Sequence, residues 1–216
     1  MAKTHATTTP RERYRAQVRT EIKERAWEQI ATTGASALSL NAIAKHMGMS
    51  GPALYRYFAS RDDLITALIR DAYRDLADAI RAASAAGPDL AALAHALRRW
   101  ALADPQRYFL VYGTPVPGYQ APADTTAITV EMMTLMLDAC AALPTGGPTT
   151  PFEEHLADHR RWAGDHPAPT EALRRALFFW TRLHGIVSLE LAGHFAGMDF
   201  DPAQLFAAEL DHLLAS

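Results

Sequence analysis

Residues 39–64 read SLNAIAKHMGMSGPALYRYFASRDDL, and the parsing of this stretch decides the fold. Leu40, Ile43, Ala44 and Met47 recur at the spacing of one helical face, which predicts a short helix over about 40–47. Ala44 is small enough to let a second helix cross close to it. Gly48 stands where the chain must turn sharply, and glycine tolerates the left-handed conformation that such a turn needs. Met49 is apolar and tucks under the turn, while Ser50 is placed to cap the next helix through its hydroxyl. In that helix, about 51–57, Leu54 and Phe58 fall at i and i+4 and face the core. Two short helices, a glycine turn and one shared core make a helix-turn-helix, with the motif at about 39–58. The second helix leaves Gly51, Pro52, Ala53, Tyr55, Arg56 and Tyr57 facing outward. Its small first residues permit close approach to a groove, and two tyrosines with an arginine supply donors for phosphates and base edges. The pattern alone also fits an ordinary helical hairpin with two half-buried tyrosines.

Charge singles out the same end of the chain. Residues 1–61 hold ten Lys and Arg against four Glu, a balance of +6, whereas the remaining 155 hold eleven basic and twenty acidic residues, a balance of −9. A basic first quarter on an acidic remainder suits a module that meets a polyanion, though a solvated basic helix face is the plainer alternative.

Outward from the motif, nearly every segment reads as helix and the architecture is expected to be all-α. A first helix, about 11–33, carries Tyr14, Val18, Ile22, Ala26 and Ile30 every fourth residue and is stopped by Gly34; residues 1–10 read as a flexible tail. Ser60 with Asp63 opens a long helix whose stripe is Leu64, Leu68, Ala72, Leu76 and Ile80. Further helices are expected at about 89–103, from Asp104-Pro105 through Tyr112, at 124–143, 152–163 and 170–195, and from Asp201 onward. Pro/Gly-rich loops are expected at 113–123 and 144–151. The domain expectation is a tail over 1–10, a DNA-binding domain over 11–70 and a second domain over 71–216. With 49% hydrophobic residues the chain has material for a real core. No apolar run approaches the roughly 18 residues of a membrane span, and the N-terminus has no apolar signal region. The single Cys140 excludes an internal disulfide and any multi-cysteine metal site. The expected location is the cytoplasm.

Ile43-Ala44, Gly48-Met49-Ser50, Leu54 to Phe58, Arg61 and Leu64 closely resemble the TetR family of bacterial transcriptional regulators over about residues 11–70. The resemblance implies a homodimer whose two recognition helices enter successive major grooves of a near-palindromic operator. Carried onto this chain, Ser39 caps the first short helix and touches phosphate; Gly51, Pro52, Ala53 and Arg56 lie at base edges; Tyr55, Tyr57 and Arg61 hold phosphates; and Asn41 and Ser50 join the DNA-facing set. Family members often have threonine where Ala53 stands and lysine where Arg61 stands, so the operator cannot be borrowed from relatives. Trp180, His184-Gly185 and Leu189-Glu190-Leu191 resemble a C-terminal domain type named for a Trp-His-Gly signature, over about 105–214.

In such regulators the C-terminal part binds a small effector and dimerises. Helix 170–195 is apolar nearly all round and must be buried on several sides, with Leu173, Leu177, Trp180, His184, Leu191 and Phe195 as its main stripe. Its small residues Gly185, Ser188 and Ala192, with Phe206, Leu210 and Leu213 of the last helix, are the expected four-helix contact across a twofold axis. Trp100, Tyr108, Phe109, Tyr112, Met132, Met133, Met136, Phe179, Trp180 and His184 are the expected lining of an adaptable apolar pocket, each with simple core packing as the alternative. The loop 113–123, with Pro115, Pro117 and Gly118, is a candidate entrance.

No catalytic residues, cofactor or metal are expected. His155 and His159 stand at i and i+4 with Glu154 and Asp158 nearby, but no third ligand is assured and solvated surface histidines are the expectation; no nucleophile–base set or phosphate loop occurs. The expected function is a DNA-binding regulator, a repressor released by a small, largely apolar effector. A helical ligand-binding or protein-interaction module, or an enzyme using the C-terminal cavity, are the alternatives.

Overall fold

The computed structural model of the chain describes residues 9–113, 122–146 and 148–215. The expectations for most of the N-terminal tail, and for Pro115, Pro117 and Gly118 in the entrance loop, lie outside the described residues. Ten α-helices and two 3-10 turns make up the architecture, with no strand among the described residues, and the chain divides into two compact units between Ile69 and Arg70.

The first unit holds α1 (Pro10–Thr33), α2 (Leu40–His46), α3 (Gly51–Tyr55) and the opening turns of α4 (Arg61–Ala83). A capping box starts α1: the Thr9 hydroxyl accepts from the Glu12 N–H at 3.3 Å, and the Glu12 carboxylate accepts from the Thr9 N–H at 2.7 Å. Pro10, expected to close the tail, is instead the first helical residue, where a missing N–H costs nothing. Val18, Ile22, Ala26 and Ile30 are buried as their spacing predicts, but Tyr14 is 65% exposed because the buried face of α1 begins one turn later. Leu40, Ile43, Ala44, Leu54, Phe58, Leu64 and Leu68 are also buried in this unit, together with Leu38, Ile65, Ala67 and Ile69.

Local chemistry fixes the turn between α2 and α3. Gly48 adopts φ +63°, and the Met49 N–H donates back to the Ala44 carbonyl at 2.9 Å, closing the end of α2. Ser39 caps α2 by accepting from the Ala42 N–H at 3.3 Å. Ser50 occupies the cap position of α3 without a side-chain hydrogen bond, unlike the expectation from its hydroxyl; Pro52 in the first turn presets the backbone instead.

The second unit holds the rest of α4 with α5 (Leu90–Ala103), α6 (Pro105–Tyr112), α7 (Ala123–Ala141), α8 (Pro151–Asp158), α9 (Thr170–Leu191) and α10 (Pro202–Ala215). Asp89 and Asp104 cap α5 and α6, and a Thr150–Glu153 capping box starts α8. Two helices end earlier than their composition suggests. The helix expected to reach 163 stops at Asp158, and a 3-10 turn follows over Arg161–Ala163. The one expected to reach 195 stops at Leu191, after which Gly193 takes φ +77°. The α4 stripe Ala72, Leu76 and Ile80 is buried as expected. Arg70 with Asp124, and Arg74 and Arg81 with Glu131, tie the exposed side of α4 to α7. Each such surface pair contributes at most about 1 kcal/mol, so these pairs set register more than stability.

Helix α9 packs against α5, α7, α8 and α10. Its buried stripe is Leu173, Ala176, Phe179, Leu183 and Val187. The expected stripe lies to one side of this line: Leu177, Trp180, His184 and Leu191 are only half-buried.

Candidate functional site

The outward face of α3 is held in place from behind by arginines of α1. Arg15 donates to the Arg56 carbonyl at 3.3 Å, and Arg19, one turn on, donates to the Tyr57 carbonyl while its guanidinium lies 4.1 Å over the Phe58 ring. Carbonyls at a helix C-terminus carry partial negative charge and lack intrahelical partners, so two cations there satisfy both deficits. Neither arginine was singled out from sequence, although their i, i+4 spacing on a basic helix was the available signal.

What this clamp presents is a small, donor-bearing surface. Pro52, Tyr55 and Arg56 are exposed, with Tyr55 at 46%, while Gly51, Ala53 and Tyr57 are half-buried. Asn41 of α2 is exposed beside the start of α3: a Cβ added at Gly51 would lie 3.5 Å from its side-chain oxygen. Ser50 is exposed as well. Ser39 is half-buried; its hydroxyl serves the α2 cap and its N–H donates to Gln29 at 2.6 Å. Arg61 sits differently from its assigned role. Its guanidinium donates to the carbonyls of Ala35 at 2.7 Å, Ser36 at 3.2 Å and Leu38 at 3.2 Å, so it closes the chain between α1 and α2 rather than standing free for a phosphate.

The second unit contains an apolar cavity of about 120 Å³. Five of the ten expected residues line it: Met132, Met133 and Met136 from α7, and Phe179 and Trp180 from α9. The others come from Tyr73, Leu76 and Ile80 of α4, Leu93 and Leu97 of α5, and Thr129. Leu76 and Ile80 read in sequence only as core stripe; that they border a void depends on how α4 meets α7.

Trp100, Tyr108, Phe109, Tyr112 and His184 do not line the cavity but form an aromatic cluster beside it. Trp100 is turned away, its indole N–H donating to Asp75 at 3.1 Å, and Phe109 packs edge-on against Tyr108. The Tyr108 hydroxyl donates to the His184 carbonyl at 3.2 Å and lies 3.1 Å from His184 Nδ1. The neutral imidazole carries one proton, on Nδ1 or on Nε2, and the Tyr108 hydroxyl can accept from Nδ1–H or donate to a bare Nδ1. Trp180 and Tyr112 each bring a ring centroid within 4.3 Å of the His184 ring. Burial pushes the Tyr108 hydroxyl up to about 12 and the His184 imidazole down to about 4, and drives Tyr112 well above 10, so all three are neutral near pH 7. Tyr112 Oη and His184 Nε2 are buried without a hydrogen-bond partner among the described residues.

Of the residues assigned to a partner contact, Phe206, Leu210 and Leu213 are instead buried in the core of their own chain, at 1%, 4% and 2% exposure. Gly185 and Ala192 are exposed and Ser188 half-buried, with Leu189 and Leu205 exposed nearby in sequence. Cys140 is buried, its thiol pushed up to about 12 by burial, so it is not poised as a nucleophile. His155 and His159 stack at 4.0 Å, and no group of three or more metal-ligating side chains occurs among the described residues. No described helix is long and apolar enough to cross a membrane.

Residues 22–68 match the family of bacterial regulatory proteins, tetR family, and residues 90–213 match the tetracyclin repressor-like C-terminal domain. The chain is 36% identical to the HTH-type transcriptional regulator Rv1816 of Mycobacterium tuberculosis over 93% of its own length and 92% of the relative's. It superposes on the crystal structure of the regulatory protein SCO4313 with a TM-score of 0.89 and 69% identity, covering 96% of this chain and 100% of that one. A protein of unknown function from Rhodococcus sp. RHA1 shares the fold at a TM-score of 0.66 and 23% identity, covering 99% and 98% of the two chains.

Proposed function

The chain belongs to the TetR family of bacterial transcriptional regulators, a family of DNA-binding transcription factors rather than enzymes, and from that premise we propose that it represses transcription by binding a near-palindromic operator as a homodimer. A small, largely apolar effector in the cavity of the second unit releases it, and the protein acts in the cytoplasm. The observation that carries the DNA reading is the exposed Pro52, Tyr55 and Arg56 face of α3, backed by Arg15 and Arg19. Gly51, Pro52, Ala53 and Arg56 meet base edges, Tyr55 and Tyr57 hold phosphates, and Asn41 and Ser50 flank them. Dimerisation uses the outward side of α9 and α10, where Gly185, Leu189, Ala192 and Leu205 are open. Helix α4 is the coupling element of this reading. It carries the cavity residues Tyr73, Leu76 and Ile80, and its first turns carry Leu64 and Leu68 of the DNA-binding unit's core.

The test is fluorescence-anisotropy binding to DNA from just upstream of the protein's own gene, extended by selection from random DNA, with Tyr55→Ala as the control. A dimer touching roughly 6–10 phosphates loses about 10³- to 10⁵-fold in affinity between 50 and 200 mM salt. Tight, salt-sensitive binding by two protomers per site, lost in Tyr55→Ala, is the expected result. Absence of any selected sequence, or binding unchanged in Tyr55→Ala, overturns it.

A further inference from the structure

The cavity and the aromatic cluster share walls. Trp180 lines the cavity, and its ring lies 5.6 Å from that of Tyr112 and 4.3 Å from that of His184, centroid to centroid. Tyr73 also lines the cavity and meets Tyr112 edge-on at 6.0 Å. The only polar side-chain group among the cavity's lining residues apart from the Tyr73 hydroxyl and the Trp180 indole is the hydroxyl of Thr129. Tyr112 Oη and His184 Nε2, on the rings that pack against these walls, are among the buried polar atoms without a hydrogen-bond partner among the described residues. Leaving buried polar atoms unpaired is costly, and such atoms beside an empty apolar space are what a ligand's own polar group would satisfy. The size of the space bounds the ligand's body. An apolar cavity of roughly 150 Å³ is known to admit benzene, so one of about 120 Å³ takes a body near the size of a single ring.

We propose that the effector is a one-ring or comparably small apolar molecule bearing a single uncharged hydroxyl, which pairs with His184 Nε2 and Tyr112 Oη, donating to one and accepting from the other, after displacing the Trp180 ring. This deepens the effector half of the proposed function and rests on it. The two unpaired atoms together call for a head that can donate and accept at once: a hydroxyl does both whichever nitrogen of His184 carries the proton, whereas an ether or a ketone can only accept and leaves one of the pair unsatisfied. Neither Tyr112 nor His184 has a charged group hydrogen-bonded to it, so an ammonium or carboxylate head loses its hydration with no opposite charge to meet.

The probes are 4-methylphenol, 4-methylanisole and toluene, titrated into the full-length protein and followed by calorimetry and by tryptophan fluorescence. The expected result is 4-methylphenol binding at least tenfold tighter than toluene or 4-methylanisole, with a fluorescence change absent in Trp180→Phe. Tyr112→Phe narrows that preference by about tenfold, the value of one buried hydrogen bond. The same variant melts no lower than wild type in the absence of probe, because it removes a hydroxyl that has no partner. A structural role for the hydroxyl would lower the melting point instead, and that result overturns the assignment. Equal binding of 4-methylphenol and toluene overturns the head site, and no binding of any probe at millimolar concentration overturns the ligand class. Operator binding is read in the same samples, so the two claims separate. If 4-methylphenol binds selectively but leaves operator affinity unchanged, the site stands and release by this class fails. If the operator is bound but no probe is, the regulator stands and this inference fails.

Discussion

Replacing Arg61 by methionine separates two roles that a cation at the start of α4 could play. In the structure its guanidinium gives hydrogen bonds to the carbonyls of Ala35, Ser36 and Leu38 at 2.7–3.2 Å, and its side chain is 34% exposed. Hydrogen bonds involving an ionised group contribute about 1.5–3 kcal/mol each when sheltered, and solvent screening at a one-third-exposed site reduces that. For the three together, Arg61→Met is expected to destabilise the DNA-binding unit by about 2 kcal/mol, read as a lower urea midpoint. Were Arg61 a phosphate ligand, its loss would lower the slope of log K against log salt by about 0.9 per protomer, or about 1.8 in a dimer. The carbonyl geometry predicts an unchanged slope, measured by anisotropy at a temperature where the variant stays folded. Arg56→Gln is the opposite case: its side chain is exposed on α3, so the urea midpoint holds while operator affinity falls by about 1–3 kcal/mol. A slope lowered by about 1.8 in Arg61→Met with an unmoved urea midpoint would refute the reasoning.

Two further perturbations probe the turn and the buried histidine. Gly48 holds φ +63° with nothing within 4 Å of the space a Cβ would fill, so Gly48→Ala suffers backbone strain alone; a loss of about 1 kcal/mol in thermal unfolding is expected, and an unchanged or raised stability contradicts it. His184 is held down at about 4 by burial, whereas an unfolded histidine titrates near 6.5, so the unfolded chain binds the extra proton between these values. Stability contributed by the neutral imidazole is therefore complete above pH 6.5 and is lost as pH falls toward 4, by about 3 kcal/mol in all. Urea midpoints of wild type and His184→Gln should converge as pH falls across that window, and parallel curves would disprove the assignment.

Much of the DNA-binding unit was legible in residues 39–64 because its determinants are local. A helical face, a glycine able to take positive φ, a serine three residues before the N–H it caps, and two apolar residues one turn apart all lie within a span the backbone itself enforces. The all-α class follows in the same way from periodicity and caps repeated along the chain. What escaped were facts set by partners distant in sequence. Arg61 reads as a phosphate ligand until its carbonyl partners, 23 to 26 residues earlier, come into view. Arg15 and Arg19 read as solvated charge until the end of α3, 38 to 41 residues later, meets them. In the second unit composition identified the aromatic and methionine stock but not its allocation. Successive residues on a helix point about 100° apart, so the rotation of α9 sets which face meets the void, and position along the axis decides that Phe179 and Trp180 border it while His184, one turn on from Trp180 on the same face, lies in the cluster beside it. The same freedom placed Phe206, Leu210 and Leu213 in their own core, since an apolar helix face specifies that it will be covered but not by what. Sequence by itself determined the local grammar of the helix-turn-helix and the helical class; the tertiary structure alone decided which apolar residues enclose empty space and which arginines hold the protein together, because both depend on the docking of helices far apart along the chain.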